Sequence, residues 1–355
     1  MGCAGKSDRG PICILMRKLF IVGFPGLYGG AGTELYHQIK LWVKSFPEIK
    51  LTIIPTMQGY VNEPLYKEMV RLGVTIGDTM DFSAITKDDA VINFCSKTYL
   101  DNIHVIAQRT KRTMWVNCMT FLFDKEKEDA RKNNINFYLY QREGVRDFHE
   151  SELRKLGSKG QFITFKPYFD PDGYEFSVLN QEFTNIGRIS RRDADKFAKN
   201  TLHIYEYIVS PKLKRGYFLG YDKMLQAKLG KMPDWIRGYR DHTEFSVKNF
   251  YKTIDFIVQP TETNENWPRV GFEAMFSGKP LLVDDRGGWK HMIEHGKSGF
   301  LCKNEREFIY WGSRLAFEPE LRIEVANNAL IRAKNLSSLE ESTESWSQVF
   351  EKVYN

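Results

Sequence analysis

At 355 residues the chain is longer than one ordinary core supports, and about 150 residues per domain makes it two domains. Its 42% hydrophobic and 27% charged content is that of an ordinary globular protein, and no apolar run approaches the roughly 18 residues of a membrane span, so any membrane contact is peripheral. The net charge of +6 suits anionic ligands such as nucleotide diphosphates, phospholipid head groups or nucleic acid, while the odd set Cys3, Cys13, Cys95, Cys118 and Cys302, without CxxC spacing, argues against a disulfide framework or a zinc site and for reduced thiols in a cytoplasmic compartment.

Residues 1–15 read as an appended, disordered leader. Their GCAGKS lacks the first glycine of a GxxxxGKS phosphate loop, and Lys6 stands where the myristoylation pattern requires Ser or Thr. A buried strand is expected over 18–23, followed by the glycine-rich loop Pro25, Gly26, Tyr28, Gly29, Gly30, Ala31, Gly32 and a helix over 33–44. Such a turn presents bare amides and the positive end of a helix dipole, where a pyrophosphate can approach closely. Strands are expected over 51–55, 90–95, 113–116, 135–140 and 162–169, with helices over 63–72 and 99–110; this alternation implies a parallel, doubly wound sheet whose ligands collect at the carboxyl ends of the strands. Asp170 and Asp172, like Asp193 and Asp195, have the DxD spacing of some metal sites, but the first pair flanks a proline in an interdomain turn, and turn chemistry explains it better.

The second domain opens on a strand ending in Ile186-Gly187-Arg188-Ile189-Ser190, with Arg191, Arg192 and Lys196 just beyond: four cations within nine residues of a strand end make a good anion clamp, although in isolation a solvated basic turn is the default reading. Helices over 202–209 and 223–229 and strands over 216–219 and 254–258 continue the alternation. Next comes a helix of about ten residues starting near Pro268 and ended by Gly278 and Pro280, then a strand over 280–283. Glu273 is the one carboxylate on the apolar VGFEAMF stretch, and a buried carboxylate needs a donor to meet. Gly287 and Gly288 form a tight turn where backbone could approach a ligand; His291 and His295 lack a third metal ligand nearby. Residues 305–354 read as helical, with Trp346 and Phe350 at i, i+4 as a docking stripe.

Strand, Glu265-x7-Glu273, GKP, strand, GG and GxxG in that order resemble the donor half of family 4 glycosyltransferases, and Gly29-Gly30 with Glu34 resemble that family's GG-x-E loop, with the acidic residue two positions late. The resemblance implies an α/β, GT-B fold: two Rossmann-like doubly wound domains facing a cleft, at 16–170 for the acceptor and 171–335 for the nucleotide sugar, with 336–355 as a helix packing back on the first domain. It implies a retaining, metal-independent transfer of a sugar from a UDP- or GDP-linked donor to a hydroxyl of a glycan, a lipid-linked glycan or a modified nucleic-acid base, with no permanently bound cofactor. Arg188 matches the family's Gly-Arg strand end; Lys196 is favoured for the phosphate lysine, with Arg192 as competitor. By the same resemblance Arg188, Lys196, Arg192 and the amides of Gly29 and Gly30 hold the diphosphate, Glu265 binds sugar hydroxyls and Glu273 the ribose, and Asn266, Trp267 and Val270 complete the donor pocket. Two glutamates suggest a glycosidase acid and nucleophile, yet a phosphate leaving group needs no such acid.

The chain departs from the family pattern at Asn266-Trp267-Pro268, where Gly-Phe-Gly is usual, and in lacking the acceptor-domain histidine, for which Asn93-Phe94-Cys95 and Asn117-Cys118-Met119 are the sequences at the corresponding strand ends. A sugar-nucleotide epimerase or hydrolase on the same architecture, and a non-catalytic nucleic-acid or glycan binder, are the rival readings.

Overall fold

The computed structural model describes residues 17–27, 29–178 and 182–355; the leader expected over 1–15, with Cys3 and Cys13, and Tyr28 of the glycine loop lie outside them. The first sheet contains β1 (Arg17–Val22), β2 (Ile49–Ile54), β3 (Thr75–Ile76), β4 (Ala90–Phe94), β5 (Arg112–Val116), β6 (Phe137–Tyr140) and β7 (Gln161–Thr164), in the order β3-β2-β1-β4-β5-β6-β7. The second contains β8 (Thr184–Ile189), β9 (Lys214–Leu219), β10 (Ile236–Tyr239), β11 (Phe256–Gln259), β12 (Leu281–Asp284) and β13 (Phe300–Cys302), in the order β10-β9-β8-β11-β12-β13. Every pairing is parallel. Both sheets are doubly wound, as expected, and their strand order reverses between β1 and β4 and between β8 and β11, the places where a ligand crevice opens.

Central strands covered on both faces are predominantly apolar, and β4 (AVINF) is buried at every position, with Asn93 its one polar side chain. β8 is also wholly buried although it carries Asn185 and Arg188, so both need internal partners. The helices Asp124–Lys132 and Glu143–Lys155 and strand β10 were not anticipated from sequence. The first, DKEKEDARK, is almost uniformly charged and shows no apolar stripe, and β10 has two exposed positions among four.

The helix after β11 runs from Arg269 to Phe276, with Pro268 preceding it and Gly278 at φ 72° closing it, so the proline-then-glycine bracket holds. The carboxyl-terminal region divides into three helices, Glu305–Phe317, Pro319–Leu336 and Leu339–Tyr354. The last buries Trp346, Val349, Phe350 and Val353 in the core that contains Leu19, Ile39 and Trp42 of the first sheet's layer. Trp346 meets Trp42 edge-on at 4.8 Å and donates through Nε1 to Gln38 Oε1 at 2.8 Å.

Candidate functional site

The reversal between β8 and β11 brings together the loops that leave those two strands. Lys196, after β8, places Nζ 2.8 Å from Glu265 Oε1, after β11, and both side chains keep a sixth of their surface in solvent. Arg188 behaves differently. Its side chain is completely buried: Nη1 donates to Ser190 Oγ at 2.8 Å, Nη2 to the carbonyls of Lys196 and Pro260, and its guanidinium lies 3.5 Å over the Phe197 ring. Burial pulls its pKa down to about 10. The structure therefore sets Arg188 behind the 190–196 loop, tying down its backbone, while Lys196 faces outward.

Across from this loop stands the amino terminus of the Gly30–Ser45 helix. Gly29 has φ 85°, no side chain caps the helix, and its first turn holds no acidic residue, so its leading amides and dipole are offered to an anion. A Cβ on Gly32 would lie 2.7 Å from the carbonyl oxygen of Gly26, so the loop folds back on itself only with glycine there. A Cβ on Gly29 would lie 3.3 Å from Cδ of Arg191. The basic side chain that reaches the glycine loop is thus Arg191, whereas Arg192 contributes its charge near Asp241 in the loop after β10. Spacing in the RISRRDADK segment could not distinguish them, because which of two adjacent loop residues faces the other domain is a tertiary matter.

Glu273 lies on the Arg269–Phe276 helix and accepts a hydrogen bond from Tyr251 Oη at 3.0 Å. Burial raises its pKa, while Tyr251 and Arg269 pull it the other way. Trp267 and Val270 are half-buried against the core containing Phe272, with the Trp267 and Phe272 ring centroids 5.9 Å apart. Asn266 is committed across the domain junction: Nδ2 donates to Gln141 Oε1 at 3.2 Å and Oδ1 accepts from Arg142 Nε at 3.0 Å. Gly287 and Gly288 lie against the Glu265 segment, where Gly288 N donates to the Glu265 carbonyl at 2.6 Å. A Cβ on Gly287 would lie 2.6 Å from the Glu265 carbonyl oxygen and one on Gly288 1.8 Å from that of Asn266, so these glycines let the turn pack against the Glu265 segment and brace it.

On the first domain's side, Asn93 and Asn117 are also occupied. Asn93 donates to the Val22 carbonyl and accepts from Ser96 N; Asn117 donates to Glu126 Oε2 at 2.9 Å and to the Phe121 carbonyl, and accepts from Met119 N. Cys95, Cys118 and Cys302 are free thiols, and Cys118 N donates to Cys95 Sγ at 2.9 Å. The first aspartate of each DxD pair has a cationic partner: Asp170 pairs with Lys40 and also accepts from Asp172 N, and Asp193 pairs with Arg191 at 3.0 Å. His295 accepts from Leu301 N through Nδ1 and packs edge-on against Trp311, and no group of three or more His, Cys, Asp or Glu side chains among the described residues could hold a metal ion.

The assembled elements are an outward lysine and arginine at a strand reversal, a glycine-opened helix terminus opposite, and two carboxylates with seven residues between them, the first paired with the lysine and the second buried on the following helix. Residues 226–311 match the family model for glycosyl transferases group 1. In sequence and fold the chain resembles those enzymes. A putative glycosyltransferase, YtcC, of Bacillus subtilis is 26% identical over 32% of this chain and 31% of its own length, and an uncharacterized glycosyltransferase of Haemophilus influenzae is 28% identical over 36% and 44%. The chain thus spans about a third of the length of the first of these relatives. Among solved structures, Anabaena HepE in complex with UDP and glucose superposes with a TM-score of 0.70 at 15% identity, over 95% of this chain and 100% of that one. TarM does so with a TM-score of 0.70 at 12% identity, over 97% and 100%. The architecture is therefore the GT-B fold of glycosyltransferases, the fold class expected from the sequence.

Proposed function

We propose that the protein is a retaining, metal-independent glycosyltransferase that moves a sugar from a nucleotide-diphosphate donor to a hydroxyl acceptor. The carrying observation is the Lys196–Glu265 pair at the β8/β11 reversal, facing the glycine-opened helix terminus across Arg191. A departing diphosphate needs positive charge and amide donors, and Lys196, Arg191 and the leading amides of the Gly30–Ser45 helix supply them without a metal ion. Glu265 then exchanges Lys196 for donor-sugar hydroxyls. Glu273, held by Tyr251, accepts from the ribose hydroxyls. Arg188 contributes by fixing the carbonyls of Lys196 and Pro260, which set the loops on either side of the phosphates.

The presence of UDP and glucose in the HepE complex favours a UDP-linked donor here, and the acceptor is a glycan, lipid-linked glycan or nucleic-acid hydroxyl bound on the first domain. The test is thermal stabilisation by a panel of UDP- and GDP-sugars, followed by transfer assays with the best donor in chelator. Stabilisation by a nucleotide sugar and turnover without a divalent ion are expected. Turnover of donor with an acceptor-independent rate would instead identify a hydrolase or epimerase, and absence of any nucleotide-sugar binding would remove the reading.

A further inference from the structure

The Gly30–Ser45 helix carries a completely buried carboxylate, Glu34, one turn in from Gly30, and its partner comes from the other domain. Arg269 Nη1 donates to Glu34 Oε2 at 2.6 Å and Nη2 to the Tyr168 carbonyl at 3.0 Å, with the guanidinium lying over the rings of Phe169 and Phe272 at 4.8 and 5.4 Å. Gln38 Nε2 donates to Glu34 Oε1 at 2.6 Å and Gln141 Nε2 to Oε2 at 2.9 Å. From Gln141 the chain of bonds continues to Asn266 and Arg142, and from Gln38 to Trp346 of the last helix.

A buried ion pair is a poor source of stability, because desolvating each ion offsets most of their attraction, but it is highly selective for one geometry. The bonds that Arg269 makes to Glu34 and the Tyr168 carbonyl, and that Asn266 makes to Gln141 and Arg142, are lost if the two domains part, and Glu34 is then left without its cation. The network's ends are also attached to the parts that handle the donor. Glu34 is five residues past Gly29 on the helix whose terminus faces Arg191, and Arg269 lies midway between Glu265 and Glu273 in the chain. Asn266 immediately follows Glu265. The distance from the helix amides to Lys196 and Glu265 is therefore set by the same contacts that close the domains.

We infer that Glu34 and Arg269 are a positioning pair that holds the cleft closed in the one arrangement that completes the donor site and keeps water from the activated sugar. The inference rests on the glycosyl-transfer reading of the cleft. It also accounts for an acidic residue two places from where the GG-x-E pattern puts it: Glu34 addresses the other domain rather than the ligand.

The experiment compares the full-length chain with Glu34→Gln, Arg269→Met and the double variant, after circular dichroism and melting establish which are folded. The double variant removes both charges, so it keeps the test open where a single change leaves one ion buried and unpaired. Two quantities are read: the ratio of donor hydrolysis to sugar transfer, and the radius of gyration from small-angle scattering with and without UDP. The folded variants are expected to hydrolyse about tenfold more donor per transfer, through a loosened closed state, and to remain expanded in UDP. A folded double variant with the wild-type ratio and the wild-type radius overturns the inference and leaves the pair a structural contact. Wild-type protein that turns over no nucleotide sugar sinks the glycosyl-transfer reading instead; scattering alone then decides the pair, with an unchanged radius in the folded variants overturning it.

Discussion

Lys196 Nζ and Glu265 Oε1 lie 2.8 Å apart although 69 residues separate them, because β8 and β11 are neighbours at the reversal of the second sheet. In this pairing each side chain covers the other's charge, and the proposed transfer assigns the lysine to a phosphate and the carboxylate to sugar hydroxyls. Lys196→Ala is expected to lower kcat/KM by about 100-fold, largely through kcat, because the lost charge matters most as the diphosphate departs. Glu265→Gln is expected to change the donor-sugar preference as well as the rate. Steady-state kinetics across a donor panel checks both, and an unchanged kcat for Lys196→Ala would count against the assignment.

Arg191 and Arg192 are adjacent in sequence but face different loops. Arg191→Ala is expected to raise the donor KM by about tenfold and Arg192→Ala by much less, since only the first approaches Gly29. Isothermal titration of UDP into the two variants tests the ranking, and equal effects would show that the loop is rearranged when donor binds.

Glu273 is buried, with Tyr251 as its described side-chain donor. Replacing it with Gln should weaken binding of UDP by about tenfold while sparing a donor analogue that lacks the ribose hydroxyls. A uniform loss across both ligands would mean that Glu273 supports the helix instead of reading the ribose.

Glu126 gives a pH dependence independent of activity. Its carboxyl is buried at the end of β5, and burial raises its pKa to about 8 despite bonds from Phe123 N and Asn117 Nδ2. A carboxyl whose folded pKa lies above its unfolded value contributes stability that is full below the unfolded pKa and lost as pH rises through the folded one. The protein should therefore lose about 2–4 kcal/mol between roughly pH 4.5 and 8 from this group. Glu126→Gln should flatten that part of the profile, and denaturant titrations at several pH values would show whether it does.

His149 titrates with the opposite sign. Burial lowers its pKa to about 4, so it contributes stability above the ordinary imidazole pKa that is lost as pH falls toward 4. His149→Phe is expected to leave the melting temperature at pH 7 within a few degrees of wild type and to reduce its fall at pH 5, as differential scanning calorimetry can record.

Much of the architecture was legible because it rests on local rules. Apolar strands alternating with helices are visible in the order of residues along the chain, and the Pro268 and Gly278 bracket around the glutamate helix is a matter of backbone conformation. The charged Asp124–Lys132 helix escaped because its packing side is short and its Glu126 and Asp129 are buried polar groups, which periodicity counts as surface. Gly287 and Gly288 were visible as a tight turn, but whether such a turn meets a ligand or another strand end depends on what folds over it.

The sequence by itself determined the class of fold, the pair of glutamates, the basic strand end and the glycine loop, since each depends on residues close together in the chain. Tertiary structure decided which of those groups work together. Arg188 and Lys196 read alike as cations near a strand end, yet the sheet buries the first among carbonyls and turns the second toward Glu265. Glu34 and Arg269 are 235 residues apart and meet only because the Gly30–Ser45 helix packs against the Arg269–Phe276 helix. Pattern and propensity describe a chain's relation to its own neighbours; the cost of burying a charge is settled by whatever the rest of the molecule brings to it.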